Sequence, residues 1–154
     1  KPGCVFCRAL SNFKKKKDCQ VIEVSEHSFS VLNIYPYNNG HVMVMPIRHI
    51  GDFQQLRPAE LVDLMLLLQK TQATLKRVLK PDAFNIGLNL GREAGAGIRK
   101  HLHFHIVPRW NGDTNFMPLF SGTKVISQSL AQLRKRLLND IQSQSQKRNR
   151  RKRS

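Results

Sequence analysis

Three histidines alternate with apolar residues in one short segment, residues 101–107, which reads HLHFHIV. In a β-strand successive side chains point to opposite faces, so His101, His103 and His105 are predicted to line one face of a sheet. Neutral imidazole is a good nucleophile toward phosphorus, and its ordinary pKa of about 6.5 lies close to neutrality. Because neighbouring histidines disfavour one another's charged forms, the segment predicts an uncharged nucleophile suited to attack on a phosphate.

A glycine-rich loop at 91–97, GREAGAG, lies just upstream of the histidines. Glycine lets the backbone approach a ligand closely, so the N–H groups of this loop can hold phosphate oxygens. Glycine-rich loops are common connectors, and it is the position beside the histidine segment that favours anion binding here.

Two other interpretations of the histidines stay open. They can be partly buried sheet residues without a function, although three imidazoles alternating on one face make that a poor account. They can also be metal ligands, because a His-x-His pair on a strand presents ligands in several classes of metalloenzyme. Such sites usually add a carboxylate or a distant histidine, but acidic residues number only 10 in 154, and His41 and His49 lie in different contexts.

Cys4 and Cys7 form a Cys-x-x-Cys pair, a spacing familiar from zinc-binding knuckles. With Cys19 the chain has three cysteines, and an odd number does not indicate a disulfide framework. The pair therefore predicts a metal or redox site, and a reduced thiol pair without metal is the alternative.

Hydrophobic periodicity predicts the elements that must position these groups. Short strands are predicted at 21–24, 28–32, 41–46, 83–89 and 101–107. A long helix is predicted to begin at about Pro58 and to end at Lys80-Pro81, and a last helix is predicted after Ser127. Strands grouped around one long helix, without regular β–α alternation, predict an α+β fold with an antiparallel sheet of about five strands.

The net charge of +16 is concentrated in two runs, four lysines at 14–17 and six basic residues within 147–153. A run of like charges repels itself and buries nothing, so residues 143–154 are predicted to be a disordered basic tail on a domain spanning 1–142. Weak contact with nucleic acid is one use for such a tail, and contact with membranes or acidic partners is another. A solubilising tail without a dedicated partner is the alternative. No apolar run reaches the roughly 20 residues of a membrane span, and we see no signal peptide, so the cytoplasm is the expected location.

Several segments together resemble the histidine triad (HIT) family, whose signature alternates three histidines with apolar residues. Leu32-Asn33 and the stretch 39–49 resemble the family's nucleotide-binding strand pair, and 89–95 followed by the triad resembles its phosphate loop. The segment 107–116, VPRWNGDTNF, is similar to the bacterial diadenosine tetraphosphate phosphorylase branch.

The resemblance implies a homodimer and a covalent nucleotidyl intermediate on His103, with His105 hydrogen-bonded to the phosphate. It implies no organic cofactor. The positions that match nucleotide-contacting or second-substrate residues are Asn33, His41, Asn89, Gly95, Ala96, Gly97 and Trp110. Many relatives carry Ser or Gln where this chain has Ala96-Gly97-Ile98, so backbone N–H groups are the expected substitutes. It also implies a structural zinc site on Cys4, Cys7, His49 and His101.

The function expected from the resemblance is phosphorolysis of diadenosine tetraphosphate by inorganic phosphate, giving ADP and ATP. The alternative within the family is hydrolysis of adenosine phosphoramidates or dinucleoside triphosphates. A different class, a basic nucleic-acid-binding module, is disfavoured because the chain lacks an aromatic-rich strand on which bases could stack.

Overall fold

The computed structural model describes residues 3–17, 19–113 and 128–151. Within them the elements in chain order are α1 (Val5–Lys14), β1 (Val21–Val24), β2 (Ser28–Leu32), β3 (Val42–Pro46), a short 3₁₀ helix (Phe53–Gln55), α2 (Pro58–Leu79), β4 (Ala83–Leu88), β5 (Phe104–Arg109) and α3 (Leu130–Arg151). The five strands form one sheet in the order β1-β2-β3-β5-β4, and each pair of neighbours is antiparallel. The predicted α+β fold, with one long helix and a C-terminal helix, is confirmed.

The two faces of the sheet are covered by different helices. On β3, Val42 and Val44 belong to a core with α2 and α3, whereas Met43 and Met45 belong to a core with α1. This alternation follows from the two-residue period of a strand. All five residues of β3 are buried, as expected for a strand covered on both sides.

Helix α1 is absent from the sequence-based prediction, which has only a cysteine-containing segment followed by a solvated lysine loop. Phe6 and Leu10 lie one turn apart and are buried on the sheet, while the lysines at 14–17 are exposed. The helix has no acidic residue in its first turn and no side-chain cap at Cys4, so the usual start signals are missing. Burial of its apolar side therefore accounts for the helix better than local sequence does.

Strand β5 begins at Phe104, three residues later than the strand predicted from His101. The residues just before Phe104 hydrogen-bond outside the sheet, because the N–H of Leu102 donates to the carbonyl of Ile50. The register pairs between β3 and β5 end at Val44 and Phe104, two residues before Pro46 ends β3. His101 and His103 thus precede the strand, and only His105 lies within it.

Helix α3 runs from Leu130 to Arg151, so the predicted boundary between residues 142 and 143 falls inside it. Leu133 and Leu137 are buried in the core with α2, and the residues from Ser145 to Arg150 are exposed. The division into a domain and a disordered tail stays a prediction, and residues 152–154 and Ser127 lie outside the described residues. None of the described helices is long and apolar enough to cross a membrane.

The start of α2 is fixed by a buried carboxylate. Glu60 accepts hydrogen bonds from Arg48 Nε at 2.8 Å, from Arg48 Nη2 at 2.6 Å and from the Arg57 N–H at 2.9 Å. The hydrogen bonds from Arg48 lower the pKa of Glu60 from 4.5 to about 2. A carboxylate with a lowered folded-state pKa stabilises the fold above its unfolded-state pKa, and this contribution is lost as the pH falls toward 2.

We expect Glu60→Gln to lower the free energy of unfolding at pH 7 by about 1–3 kcal/mol, because the bidentate contact with Arg48 loses its charge. The difference between wild type and variant should shrink as the pH falls from 4.5 to 2. Urea unfolding at several pH values measures this. A difference that stays constant down to pH 2 would show that the charge of Glu60 does not contribute to stability.

Candidate active site and metal centre

A cavity of about 500 Å³ lies between α1 and the face of the sheet that α1 covers. Five of the residues predicted to act on the nucleotide line it, namely Asn33, Gly95, Gly97, His103 and His105. The predicted nucleophile, the predicted phosphate ligand and two glycines of the loop therefore share one cavity. A chamber of this size and lining suits a small-molecule ligand.

A hydrogen bond to the backbone fixes the tautomer of the His103 imidazole. Its Nδ1 lies 2.8 Å from the carbonyl oxygen of His101, and a carbonyl can only accept, so Nδ1 carries the proton. The neutral ring then has its lone pair on Nε2. The ring of Phe6 packs against it with the centroids 5.1 Å apart.

A chain of hydrogen bonds sets the tautomer of His105 in the same way. The backbone N–H of Tyr37 donates to His41 Nδ1 at 3.0 Å, so a neutral His41 carries its proton on Nε2. His41 Nε2 lies 2.8 Å from His105 Nδ1 and donates to it. A neutral His105 therefore carries its own proton on Nε2. His41 is buried beneath His105 and touches the site through it, and Asn33 Nδ2 lies 3.2 Å from His41 Nδ1.

His101 takes no part in the cavity and belongs to a second cluster. Its Nε2 donates to the carbonyl of Pro46 at 2.9 Å, which leaves the Nδ1 lone pair directed at sulfur, 3.4 Å from Cys4 Sγ and 3.7 Å from Cys7 Sγ. His49 Nδ1 lies 3.4 Å from Cys7 Sγ. All four donor atoms lie within 4.8 Å of one another.

These distances match a tetrahedral metal site. With metal–sulfur bonds of about 2.3 Å and metal–nitrogen bonds of about 2.0 Å, sulfur and nitrogen ligands at tetrahedral corners are roughly 3.5 Å apart. The cluster thus brings together all four residues that the sequence analysis assigns to zinc, and it is a possible metal site.

The family of the chain follows from comparison with known proteins. A family model described as HIT domain matches residues 14–112. The chain belongs to the HIT family. It is 46% identical over 112 residues to an AP-4-A phosphorylase of Mycobacterium tuberculosis, a match that covers 73% of this chain and 57% of that protein.

This chain is also similar in sequence and in structure to other proteins of the HIT family. A bis(5′-nucleosyl)-tetraphosphatase (asymmetrical) of Schizosaccharomyces pombe is 36% identical over 94 residues, which is 61% of this chain and 51% of that protein. The crystal structure of a hypothetical histidine triad nucleotide-binding protein of Sulfolobus tokodaii superposes with a TM-score of 0.72 at 26% identity, over 91% of this chain and 93% of that chain. The chain spans little more than half the length of the two curated relatives.

Burial keeps the two histidines of the HIT cavity uncharged at neutral pH. Burial lowers the pKa of His103, a residue that is 5% exposed. Burial, and then repulsion from a charged His103, lower the pKa of His105 to about 4. Both rings are therefore neutral at pH 7, which is the state that the tautomers above describe.

Besides His41, three predicted site residues of the HIT chain are not part of the cavity wall. Ala96 is buried, and its N–H donates to the carbonyl of Gly91 inside the loop. The side-chain amide of Asn89 lies beside Gly95, with Nδ2 3.8 Å from where a Cβ on Gly95 would lie. Trp110 follows β5, where its N–H donates to Asp113, and the last residues of the 107–116 segment lie outside the described residues.

Sequence reasoning missed the contribution of α1 to the HIT site. Phe6, Ala9 and Asn12 of this helix form a wall of the cavity, and Gln20 before β1 lines it too. The recurrence of Phe6 and Leu10 at helical spacing was the signal that could have revealed this wall. Nothing in the sequence pairs Tyr37 with His41, since that contact depends on the turn between β2 and β3.

Proposed function

We propose that this chain is a nucleotidyl-transferring enzyme that cleaves dinucleoside polyphosphates through a nucleotidyl-His103 intermediate, with diadenosine tetraphosphate and inorganic phosphate as substrates. The observation that carries the proposal is the hydrogen bond from His103 Nδ1 to the carbonyl of His101. It directs a lone pair from a neutral imidazole into a cavity that also contains a loop suited to phosphate.

In the first half-reaction His103 Nε2 attacks the α-phosphorus and the bridging P–O bond breaks. The electron pair departs with the oxygen of the leaving nucleoside polyphosphate, which for diadenosine tetraphosphate is ATP. A polyphosphate leaves as an anion and needs stabilisation of charge more than a proton. The reaction therefore does not require a side-chain proton donor at Ala96-Gly97-Ile98, where this chain has none.

His105 stabilises the charge that develops on the phosphate. Its Nε2–H, fixed by the hydrogen bond from His41, donates to a non-bridging oxygen. The glycine loop adds a backbone donor. The N–H groups of Gly95 and Ala96 already donate within the loop, so Gly97, on the cavity wall, is the residue whose N–H we assign to the phosphate.

In the second half-reaction an oxygen of inorganic phosphate attacks the same phosphorus. The P–N bond breaks, the lone pair returns to His103 Nε2, and the AMP moiety leaves as ADP. Support for phosphate as the acceptor comes from the 46% identity to the mycobacterial AP-4-A phosphorylase. Cleavage by water is the alternative, supported by the likeness to the fission yeast tetraphosphatase, and it includes dinucleoside triphosphates and adenosine phosphoramidates as substrates.

The products separate the two alternatives. We expect the purified chain to convert diadenosine tetraphosphate to ADP and ATP, and the rate to rise with added inorganic phosphate. Anion-exchange separation of the nucleotides, with and without phosphate, measures this. AMP and ATP formed at a rate independent of phosphate would establish hydrolysis, and no cleavage under either condition would contradict an enzymatic role.

We also propose that Cys4, Cys7, His49 and His101 hold a structural zinc ion. Two thiolates and two imidazoles are the donor set of closed tetrahedral zinc sites, and the distances between them fit such a site. When bound, the metal would cross-link these four residues and would have no open coordination position for a substrate. The residues themselves tie the start of α1 to the loop after β3 and to the backbone that orients His103.

A homodimer is part of the proposal, because the molecule presents an edge strand and exposed apolar side chains. Strand β4 is an edge of the sheet, and Ile86 on it is 45% exposed. On α2, Val62 and Leu66 are about 60% exposed. Edge strands and apolar patches of this kind are commonly covered by a partner, and a second copy covers them symmetrically.

For the basic end of α3 we propose a weak contact with nucleic acid. Lys147, Arg148 and Arg150 are exposed on its last turns. Cationic side chains along a helix neutralise phosphates without reading the base sequence, so such a contact weakens as salt rises.

A further inference from the structure

One polar atom in the wall of the nucleotide cavity lacks a partner. Gln20 lines the cavity, and its Oε1 is buried and accepts no hydrogen bond from any described residue. A buried amide oxygen without a donor costs free energy, and such atoms are rare in folded proteins. A ligand that brings an N–H group to this position removes that cost.

The backbone of Gln20 is fixed, so the position of its side chain is constrained. Its carbonyl accepts from the N–H of Leu32 at 2.9 Å, directly before β1 begins at Val21. The side chain therefore starts from the edge of the sheet, next to α1.

The sheet register shows how far Gln20 lies from the histidines. Val21 pairs with Val31, Val31 pairs with Met43, and Met43 pairs with His105, so these residues form one row across four strands. Neighbouring strands are about 4.8 Å apart, and the row is therefore roughly 14 Å long. A nucleotide with its phosphate at His105 and its long axis along this row has its base at the end where Gln20 lies.

The surroundings of that end suit a base. Val31 and Met43 form an apolar floor, and Phe6 and Ala9 of α1 form a wall. Apolar surfaces of this kind accept the faces of an aromatic ring but do not distinguish one base from another. Distinction requires a polar group at the ring edge, and Gln20 supplies a carboxamide with an unused acceptor.

We propose that Gln20 selects the base of the bound nucleotide, its Oε1 accepting a hydrogen bond from the exocyclic amino group of a 6-aminopurine. The inference rests on the proposed function, since it assumes a nucleotide whose phosphate lies at His103 and His105. A 6-oxopurine presents an acceptor to Oε1 in place of a donor. An unsubstituted purine presents neither, so it isolates the contribution of the amino group.

Equilibrium binding of nucleoside monophosphates to the full chain tests this without requiring turnover. Isothermal titration of AMP, IMP and purine riboside 5′-monophosphate gives three dissociation constants for wild type. We expect AMP to bind about tenfold more tightly than either of the others, the difference that one buried hydrogen bond provides. In Gln20→Met, which keeps the length of the side chain and removes the amide, all three should bind within about twofold of one another.

Asn12→Leu is the matched control, because Asn12 is the other amide on the α1 side of the cavity. We expect Asn12→Leu to keep the preference for AMP. A preference that survives in Gln20→Met, or that disappears in Asn12→Leu instead, would overturn the role of Gln20. Wild type that binds AMP without any preference would overturn it as well, whereas wild type that binds none of the three would overturn the proposed function itself.

Discussion

His103→Ala should lower kcat/KM for diadenosine tetraphosphate by about 10⁴-fold or more, because the proposed covalent intermediate forms on its Nε2 and the other described histidine of the cavity cannot take its place. His105 is close, with its ring centroid 4.9 Å from that of His103, but its Nδ1 accepts from His41 and its Nε2 carries a proton. The remaining imidazole therefore presents a donor to the phosphate and no lone pair. Steady-state cleavage measured by nucleotide separation gives the ratio.

A control separates loss of the nucleophile from loss of a histidine in general. His27 lies on the surface beside Glu26, and His27→Ala should leave kcat/KM within about twofold of wild type. The covalent step has its own signature. Mass spectrometry of protein quenched without phosphate should show a nucleotidyl adduct on the peptide containing His103, and added phosphate should discharge it. Near-normal cleavage by His103→Ala would show that the nucleophile lies elsewhere.

The histidine segment shows how much of the site the sequence could predict. Alternation placed His103 and His105 on one side of the chain, and both line the cavity. The same alternation predicted His101 as a third member of the row, but its ring faces two cysteines. Alternation along a strand predicts which side of the sheet a residue faces. It does not predict which residues, distant in sequence, pack against that side.

The parts that could not be predicted depend on contacts across the fold. His41 and His105 are 64 residues apart, and their 2.8 Å contact exists because Met43 and His105 are register partners on adjacent strands. Register follows from which faces are buried and from turn geometry, which a single sequence specifies only weakly. The tautomer of His105, and with it the assignment of donor and nucleophile, required that register.

Helix α2 shows a different limit. The leucines and other apolar residues at helical spacing are predicted to face the core, namely Leu61, Leu64, Met65, Leu68, Leu75 and Val78. Leu64 and Leu75 are buried, and Leu68 and Val78 pack against the core. Leu61 and Met65 are about one-third exposed, whereas Leu67 is buried. A hydrophobic period locates an apolar face but does not tell whether the protein's own core or a partner covers it. The proposed dimer accounts for the part of this face that the chain leaves open.

Removing the metal ligands should have the second large effect. Cys4→Ala/Cys7→Ala should contain less than about 0.1 equivalent of zinc, against about one equivalent in wild type purified without chelator. Its Tm should fall by about 10 °C or more, because an ion bound only to the folded state contributes several kcal/mol. Metal analysis and thermal unfolding measure the two quantities. Cys19→Ala is the matched control, since Cys19 lies outside the four-residue cluster and should keep the zinc.

The same variant tests whether the cluster positions the catalytic cavity. Its four residues link α1, which supplies Phe6 and Asn12 to the cavity, to His101, whose carbonyl orients His103. Loss of the link should therefore weaken AMP binding as well as stability, because the wall and the nucleophile are both held from this point. Addition of a chelator to wild type should reproduce both effects, and added zinc should reverse them. Wild type without zinc that nevertheless shows the full Tm and AMP affinity would mean that the two cysteines and two histidines hold α1 in place by packing alone.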